Sequence, residues 1–375
     1  MSRIAVFHPD LGMRGGAEDV CLHAIEALQE DGHEVTLFTL TRPDFSGLNE
    51  YFATSVSTPT VRVPGRLGPL LARNLENKLV RLQACLLYRA ARNQLSSFDV
   101  VVSTKNEFPC DVPSVQYVHS PRFEAKDPGL DRKSLAKSAY ERLIRAIVDF
   151  DPERVASSTL LANSDWTAGL VEDVYDTQVQ TVYPPVSLSG FEPTPWSERE
   201  DGFLTIGRVG PSKRILKNID IVGQLRDRGH DVHLHIVGPT SDSAYSERVR
   251  ERGADLSFVH IEGSVSHERL LELLGSHRYG LHGRPYEHFG ITVAELASAG
   301  AIPFAPDSGG QREILGQKAQ LMYSDIDDAI EKMETVLSSP KIQSSVRDDL
   351  ESVREAYSPE RFKKDICSAV NQALP

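Results

Sequence analysis

The sequence predicts an α/β fold made of two doubly wound domains in tandem. Short runs of β-branched residues alternate with helical patterns along the chain, which is typical of βαβ units whose parallel sheet is covered on both faces. The chain has 375 residues, 40% of them hydrophobic and 25% charged, which is ordinary globular composition with enough length for two cores. Ligands of such sheets bind beyond the carboxyl ends of the strands. We therefore expect two domains that face each other across a cleft.

Five strands are predicted in each half of the chain. In the first half they are RIAVFHP, EVTLFTL, DVVVSTK, SVQYVHS and TLLANS. In the second half they are FLTIGRV, DVHLHIVG, FVHIEG, YGLHGR and AIPFAPD. Residues 182–200, between the two series, hold four prolines and mostly polar residues, which argue against a continuous helix or strand. The expected domains are therefore 1–185 and 186–357.

Composition argues against several classes of protein. No window approaches the eighteen apolar residues of a membrane-spanning helix, and MSRIAVFHPD holds too short an apolar run for a signal peptide. The four cysteines lack CxxC spacing, so they indicate neither a zinc knuckle nor a disulfide framework and favour a reduced, cytoplasmic setting. A net charge of -12 argues against a nucleic-acid partner, because phosphate contacts need a basic surplus.

A glycine-rich turn, GMRGGAED, follows the first strand and leads into a helical pattern. Glycines such as Gly15 and Gly16 let the backbone approach a ligand closely, and the helix that follows presents N–H groups to an anion. The turn is not GxGxxG, so a tight connection without a ligand explains it equally well.

Two cations follow the first strand of the second half, in GRVGPSKRILKN. Arg208 and Lys213 stand five residues apart at the carboxyl end of that strand. A guanidinium and an ammonium placed there could hold different oxygens of one diphosphate. Lys213, Arg214 and Lys217 could instead form a solvated helix face.

Two glutamates stand eight residues apart in RPYEHFGITVAE. We expect strand, loop and helix here, with Glu287 in the loop and Glu295 inside the helix. Phe289, Gly290 and Ile291 then lie at the helix start, where N–H groups face the cleft. Eight helical steps return to within roughly 80° of the starting direction, so both carboxylates can address the same side of a ligand. Glu287 alone would be explained as a surface loop residue, and Glu295 alone as a helix residue paired with a neighbour.

These motifs together resemble the retaining glycosyltransferases of family 4, which have the GT-B architecture of two Rossmann-like domains. The resemblance rests on the Glu-x7-Glu spacing around Phe-Gly-Ile, on GRVGPSK, on LLANSDWTAGLV before VYPPV, and on APDSGGQREIL. GLHGRPYEHFGITVAE and VQYVHSP are most similar to the subgroup of α-1,2-mannosyltransferases that extend a lipid-linked oligosaccharide. YSPERFKKDICSAV is similar to the closing helix of the family, which implies that 358–375 packs back on the N-terminal domain.

The resemblance implies roles for individual residues. Glu287 matches the glutamate that lies close to the donor sugar, and Glu295 matches the one that binds the ribose hydroxyls. Arg208 and Lys213 match the cations that stabilise the charge growing on the donor diphosphate. His119, in YVHSP, matches a histidine that touches the sugar near the reaction centre. The other residues that match donor-binding positions are Gly15, Gly16, Phe289, Gly290 and Ile291.

The resemblance also implies the reaction. A hexose, with mannose favoured, passes from a nucleoside-diphosphate sugar, with GDP-mannose favoured over a UDP-sugar, to a saccharide or lipid-linked saccharide. In this family the departing diphosphate is thought to deprotonate the acceptor, so neither a metal nor a cofactor is required. DFD at 149–151, in a helical pattern, and DID at 325–327, in a late loop, imitate a metal-binding DxD, but chance matches are expected among 53 acidic residues. The alternatives on the same fold are a nucleotide-sugar epimerase, a glycogen phosphorylase and a non-catalytic nucleotide-sugar-binding protein.

Residues 62–95 depart from the acidic composition of the chain. They hold seven basic residues and one acidic residue, which makes this segment +6 and the remainder about -18. Leucines recur at three- and four-residue spacing as an apolar helical stripe, at Leu71, Leu75, Leu79, Leu82 and Leu86. Either the stripe packs on the N-terminal sheet and its basic face is wet, or the helix lies on an anionic membrane surface that holds a lipid-linked acceptor.

Overall fold

The computed structural model describes residues 1–63, 80–123, 135–240 and 243–375. The chain divides into two compact units. The first unit comprises Met1–Pro185 together with Pro359–Pro375, and the second comprises Val186–Ser358. Each unit has its own parallel sheet, so each is described by itself.

The first unit contains a seven-stranded parallel sheet. Its strands are β1 (Arg3–Phe7), β2 (Glu34–Phe38), β3 (Thr60–Arg62), β4 (Val100–Ser103), β5 (Ser114–Val118), β6 (Thr159–Ala162) and β7 (Gln180–Thr181). The order across the sheet is β3-β2-β1-β4-β5-β6-β7, which is the doubly wound order. The order reverses between β1 and β4, so a crevice opens beyond the carboxyl ends of these two strands.

Helices cover both faces of this sheet. They are α1 (Gly16–Glu30), α2 (Phe45–Phe52), α3 (Val80–Ala91), α4 (Leu135–Val148), α5 (Pro152–Ala156) and α6 (Asp165–Tyr175), with a 3-10 turn at Arg92–Ser97. Strand β1 shows why two layers form. Its alternate residues Ile4 and Val6 enter the core beneath α1, while Ala5 and Phe7 enter a second core with residues of α3 and α4.

The last helix of the chain, which we number after those of the second unit as α15 (Pro359–Ala373), belongs to the first unit. It packs against α1, and Phe362, Ile366 and Val370 are fully buried in the core beneath α1. Lys363 adds ion pairs to Glu26 and Glu30 of α1, at 3.2 and 3.0 Å.

The second unit contains a six-stranded parallel sheet. Its strands are β8 (Glu200–Ile206), β9 (His233–Val237), β10 (Val259–Gly263), β11 (His277–Leu281), β12 (Ile302–Pro306) and β13 (Met322–Tyr323). The order is β10-β9-β8-β11-β12-β13, the same doubly wound order as in the first unit. Here the reversal falls between β8 and β11.

The second unit surrounds its sheet with helices in the same way. They are α7 (Ile215–Asp227), α8 (Ala244–Ala254), α9 (His267–Ser276), α10 (Ile291–Ser298), α11 (Gln311–Ile314), α12 (Ile326–Leu337), α13 (Pro340–Leu350) and α14 (Val353–Ala356), with 3-10 turns at Trp196–Glu198, Pro211–Lys213 and Ala319–Leu321. Within the described ranges of both units, none of the helices combines the length and the apolar character that crossing a bilayer requires.

All ten predicted strands are confirmed, while three short strands were not predicted. The missed strands are β3, β7 and β13, each of two or three residues at or near a sheet edge. The DFD string was expected in a helical pattern, and that was wrong. Asp149 lies in a turn with φ 54°, and the side chain of Asp151 caps α5 by accepting from the N–H of Glu153 at 3.0 Å. The DID string was expected in a loop, but Asp325 caps α12 and the helix itself begins at Ile326.

The basic segment 62–95 is only partly described, because 64–79 lies outside the described residues. In the described part, the fully buried apolar residues of α3 are Ala84, Cys85, Leu87, Tyr88 and Ala91. Leu82 and Leu86 of the predicted stripe are only half-buried. The inward face of α3 is therefore rotated from the predicted stripe, and it includes the ring of Tyr88, which lies tilted against Phe108 with ring centroids 4.5 Å apart.

Candidate functional site

The candidate site of the second unit lies where the strand order reverses. The loop after β8 carries Arg208 and Lys213, and the loop after β11 carries His282, Arg284 and Glu287. Both loops leave the carboxyl ends of neighbouring strands, so they meet at the crevice of the sheet. Lys213 and Glu287 thus come together although 74 residues separate them along the chain.

The backbone around Glu287 is fixed by the loop that follows β12. The N–H of Gly310 donates to the carbonyl of Glu287 at 2.9 Å, and the N–H of Tyr286 donates to Ser308 Oγ at 3.0 Å. Gly309 has φ 74°, and a Cβ at this position would overlap with the backbone of Glu287. Glycine is needed here because an L side chain fits neither this dihedral angle nor the space. The SGG string of the sequence therefore positions the glutamate.

Three cationic or basic groups surround the carboxylate of Glu287. Lys213 Nζ donates to Oε1 at 2.7 Å, His282 Nε2 lies 3.2 Å from the same oxygen, and Arg284 lies 3.5 Å from Oε2. Burial by itself raises the pKa of Glu287, but contact with His282 and the charge of Lys213 outweigh burial and hold the pKa well below its usual range. Glu287 is therefore an anion that can accept hydrogen bonds.

His282 is a buried neutral base between the loop and the helix. Burial lowers the pKa of its imidazole, and the charge of Lys213 opposes protonation as well, although Glu287 favours it. Thr292 Oγ1 lies 3.3 Å from its Nδ1. Its backbone is held on both sides, because its N–H donates to Phe304 and its carbonyl accepts from the Tyr323 hydroxyl at 2.6 Å. This histidine was not predicted as a site residue.

The sequence left open whether the cations after β8 bind a ligand or form a wet helix face. Lys213 ends the 3-10 turn Pro211–Lys213, is half-buried and pairs with Glu287, so it is not part of a solvated face. Arg214 and Lys217 are exposed. Arg208 is also exposed, on the loop directly after β8, where a guanidinium remains accessible to a diphosphate.

Helix α10 begins where the sequence predicted it. Gly290, with φ 106°, is the residue before its first turn, and Ile291 is its first residue. Phe289 is buried and packs edge-on against Tyr357 with ring centroids 5.2 Å apart, so its side chain anchors the helix start. Glu295 lies in the second turn and is half-buried. The first-turn N–H groups of such a helix form a positive end suited to an anion.

The first unit carries a buried polar cluster at the corresponding reversal of its own sheet. His8 follows β1, and its ring bridges Thr104 Oγ1 at 2.9 Å and Glu18 Oε1 at 3.2 Å. Lys105 Nζ donates to the same Glu18 oxygen at 2.5 Å. Burial raises the pKa of Glu18 by itself, but the hydrogen bond from His8 and the charge of Lys105 outweigh burial and lower the pKa well below its usual range.

The glycine-rich turn serves this cluster. Gly15 precedes α1, and its N–H donates to Glu18 Oε2 at 2.9 Å, which is the half of a capping box that an N-cap glycine can form. The Gly15 amide therefore already has an acceptor within the chain, while Gly16 is the first residue of α1. The turn is therefore at least a structural cap of α1. This agrees with the alternative of a tight connection without a ligand, which the sequence left open.

His119 lies directly after β5 and beside the same cluster. Its Nε2 donates to the carbonyl of Thr104 at 3.1 Å, because a carbonyl can only accept, so Nδ1 carries the lone pair. The backbone N–H of His119 donates to Asn106 Oδ1 at 2.7 Å. Burial and the charge of Lys105 lower the pKa of His119 to about 3, which makes it a neutral hydrogen-bond acceptor.

Sequence reasoning missed His8, Glu18, Thr104 and Lys105 in the first unit, and His282 and Arg284 in the second. Their partners lie up to 96 residues away along the chain. A usable signal was nevertheless present, because His8, Thr104 and His282 each lie in the second half of a predicted strand string and directly after the strand that the structure has there. In a doubly wound sheet those positions line the ligand crevice.

Two family models match adjacent parts of the chain. Residues 14–189 match the model described as Glycosyltransferase Family 4, and residues 190–351 match the model described as Glycosyl transferases group 1. Together they span the two units apart from the first strand and the last helices.

Curated relatives and solved structures point the same way. The GDP-Man:Man(3)GlcNAc(2)-PP-Dol alpha-1,2-mannosyltransferase of Dictyostelium discoideum is 27% identical over 245 residues, covering 58% of this chain and 48% of the relative. The chain thus spans about half the length of this relative and of the Neurospora crassa protein of the same name, of which 51% is covered. The alpha-1,3/1,6-mannosyltransferase ALG2 of Mus musculus is 24% identical, covering 92% of this chain and 89% of the relative.

The fold is that of solved glycosyltransferase structures. HepE of Anabaena, solved with UDP and glucose, superposes with a TM-score of 0.69 at 14% identity and covers 99% of this chain and all of the other chain. The sucrose-phosphate synthase of Thermosynechococcus elongatus superposes with a TM-score of 0.71 at 16% identity, covering 99% of both chains. At these identities the likeness establishes the GT-B fold alone.

Proposed function

Because the chain belongs to the group 1 and family 4 glycosyltransferases with the GT-B fold, we propose that it is a retaining hexosyltransferase. The donor is a nucleoside-diphosphate sugar, with GDP-mannose favoured. The acceptor is a saccharide or a lipid-linked saccharide. The observation that carries the proposal is the Lys213–Glu287 ion pair of 2.7 Å at the strand reversal of the second unit.

Each residue of this site binds a different part of the donor. Glu287 is an anion held by its neighbours, so it can accept hydrogen bonds from sugar hydroxyls. The ammonium of Lys213 has three donor hydrogens and donates one to Glu287, which leaves two for phosphate oxygens. Arg208 adds a guanidinium for a second phosphate. Glu295, farther along α10, accepts from the ribose hydroxyls, and the backbone of 289–291 lies next to the diphosphate.

These charges explain how the glycosidic bond breaks. As the bond to the anomeric carbon lengthens, negative charge grows on the diphosphate, and Arg208 and Lys213 stabilise it. The departing phosphate oxygen accepts the proton of the acceptor hydroxyl, which attacks from the same face, so the configuration is retained. In the first unit, His119 accepts a hydrogen bond from a substrate hydroxyl through Nδ1. Catalysis in this scheme requires no metal.

The choice of mannose rests on the relatives. The Dictyostelium and Neurospora proteins are named as GDP-mannose enzymes that act on a dolichol-diphosphate oligosaccharide, and the Mus musculus ALG2 is also a mannosyltransferase. The last match spans nearly the whole chain, so mannose transfer is supported by the full length of both units. Neither the epimerase nor the non-catalytic reading has such support.

A turnover assay tests the function. We expect GDP to be released from GDP-mannose only when a saccharide acceptor is present, and the product to keep the α configuration by NMR. The rate should be unchanged after EDTA treatment. Mannose appearing as its epimer would identify an epimerase, and tight binding of GDP-mannose without turnover on any acceptor would identify a binding protein. Either result overturns the proposal.

A membrane surface is the second part of the proposal, for a lipid-linked acceptor. It rests on the names of the relatives and on the +6 charge of 62–95, whose attraction to anionic headgroups is worth about 1 kcal/mol per basic residue near the surface. Arg62 and Arg92 in the described part already contact their own unit, through Gln94 and Asp111.

Vesicle sedimentation tests this part separately. We expect the protein to sediment with anionic vesicles and not with neutral ones, and to be released as added salt shortens the screening length below about 8 Å. The triple variant R73Q/K78Q/R81Q should stay in the supernatant. Equal sedimentation of the variant and the wild type would overturn the membrane contact and favour a soluble acceptor.

A further inference from the structure

A cluster of histidines lies on the second unit, near the amino edge of its sheet. His233 is the first residue of β9 and His277 is the first residue of β11, while His235 follows two residues after His233 on the same face of β9. The proposed donor site lies at the opposite, carboxyl edge of the same sheet. The cluster therefore has no part in the proposed transfer reaction.

The ring nitrogens of this cluster converge. One ring nitrogen from each of His233, His235 and His277 lies within 4.8 Å of one from each of the others. The Nε2 atoms of His233 and His277 are 3.3 Å apart. Two nitrogens that bind one tetrahedral zinc ion at 2.0–2.1 Å are separated by about 3.3 Å. Glu200 Oε2, from the start of β8, lies 3.2 Å from His233 Nε2 and completes a set of four.

Hydrogen bonds orient two of the rings for coordination. His277 Nδ1 donates to the carbonyl of Leu273 at 2.9 Å, so its Nε2 keeps the lone pair. His235 Nδ1 donates to Glu262 Oε1 at 2.7 Å, which leaves Nε2 of that ring with its lone pair as well. A carboxylate or carbonyl behind the second nitrogen is the arrangement that fixes metal-binding histidines.

A glycine makes room for the third ring. The imidazole of His233 packs directly over Gly202 of β8, and a Cβ at that position would overlap with the ring. The side chains of His233 and His235 remain 24% and 14% exposed, so an ion can reach the cluster from solvent.

We infer that His233, His235 and His277, with Glu200, bind one divalent transition-metal cation of the zinc type. Imidazole nitrogens with one carboxylate suit zinc, and they also accept cobalt as a spectroscopic substitute. The ion would join the first residues of β8, β9 and β11, which are neighbours in the order β9-β8-β11. His233 would then carry its proton on Nδ1. The site fastens the amino edge of the sheet and leaves the transfer chemistry to the other edge.

Metal binding by the untagged full-length protein tests the inference. The protein is first stripped with a chelator and then titrated with Zn²⁺ by calorimetry and with Co²⁺ by visible absorption. We expect one equivalent of each ion per chain, an intense tetrahedral Co²⁺ spectrum, and a rise in melting temperature with Zn²⁺. The double variant H233Q/H235Q should lose all three effects.

Two further variants separate coordination from folding. Gly202→Ala should displace the His233 ring and weaken Zn²⁺ binding at least tenfold, although no ligand has been removed. His267→Gln removes an exposed histidine of the same unit and should bind Zn²⁺ like the wild type. GDP affinity, read at the opposite edge of the sheet, should be equal in all variants if they are folded. Binding of less than one equivalent by the wild type, an octahedral Co²⁺ spectrum, or unchanged binding in H233Q/H235Q would overturn the inference.

Discussion

Glu287 shows how much a single carboxylate depends on its surroundings. Without His282 and Lys213 it would be a buried acid with a raised pKa, and with them it is an anion ready to accept hydrogen bonds. The pair has a further consequence. Removing the glutamate frees the ammonium of Lys213 for phosphate, so binding of the leaving group and turnover should respond in opposite directions.

Replacing Glu287 tests this separation. In E287Q we expect kcat to fall on the order of 100-fold or more, because the sugar loses a charged acceptor. The affinity for GDP should stay the same or increase. Steady-state kinetics and calorimetry measure the two quantities, and E268Q, which removes an exposed acid of the same unit, is the control. Wild-type turnover in E287Q would remove this residue from the mechanism.

Replacing Lys213 tests its role at the diphosphate, and the same replacement of Lys217 is the control. K213Q should weaken GDP binding and raise the activation free energy of transfer by about 2 to 4 kcal/mol. This is the range seen when one donor to a developing oxyanion is lost. K217Q removes an exposed charge four residues later and should change either quantity little. If calorimetry gave both variants the same GDP affinity, the lysine would have to be reassigned to a purely structural ion pair.

Glu18 gives a pH dependence with a definite sign. Its pKa is lower in the folded protein than the unfolded value of about 4.3, so its contribution to stability is fully present above that pH. It is lost as the pH falls through the folded pKa. The free energy of unfolding of the wild type should therefore exceed that of E18Q at about pH 6, and the gap should narrow towards about pH 3. Urea denaturation at a series of pH values measures this difference in the free energy of unfolding. A difference that widens in acid would contradict the assigned ion pair between Glu18 and Lys105.

The site residues found from the sequence are those carried by local motifs. Glu287 and Lys213 were predicted because short strings around them match a family pattern. His8, Thr104 and Lys105 were not, because what defines them is contact between the loops after β1 and β4 and helix α1, up to 96 residues apart. Such contacts follow from strand order, which a strand pattern alone does not specify.

Strand length explains which strands could be predicted from the sequence and which could not. The ten predicted strands are mostly buried runs of four to seven residues, long enough for β-branched composition to be recognised. Strands β3, β7 and β13 have two or three residues, too few for any period. In α3, the buried face includes Tyr88, whose ring contacts Phe108, and leucine spacing alone did not predict that face.

The loop after β12 should be intolerant of one added methyl group. In G309A, the Cβ meets the backbone of Glu287 at a positive φ, so we expect a loss of stability together with loss of transfer. Gly169 lies inside α6 with open space around its Cβ position. G169A should therefore raise stability by about 0.5 to 1 kcal/mol and leave transfer unchanged. Thermal denaturation and turnover of the two variants provide the comparison, and active G309A would show that this loop does not position the glutamate.

At the scale of the whole molecule, the two units keep separate cores, and each contains one of the two tryptophans of the chain. Trp166 lies in α6 of the first unit, and Trp196 lies in the second. Their fluorescence can therefore report the unfolding of each unit separately, with the other tryptophan replaced by phenylalanine.

Truncating Phe362 of the last helix should weaken the first unit selectively. F362A removes a fully buried ring from the core beneath α1, a loss of about 3 to 5 kcal/mol. The Trp166 transition should move to lower urea concentration while the Trp196 transition keeps its midpoint. K364A, at an exposed position of the same helix, should move neither. A matching shift of both transitions in F362A would mean that the units unfold as one body.

The position of α15 in the first unit also bears on the order in which the chain folds during synthesis. The second unit is continuous from Val186 to Ser358, so all of its core has been translated before residues 359–375 leave the ribosome. The first unit begins earlier but lacks Phe362, Ile366 and Val370 until those residues emerge. Its apolar groove beside α1 is therefore left open while the second unit is synthesised, and a nascent-chain chaperone would find its binding surface there.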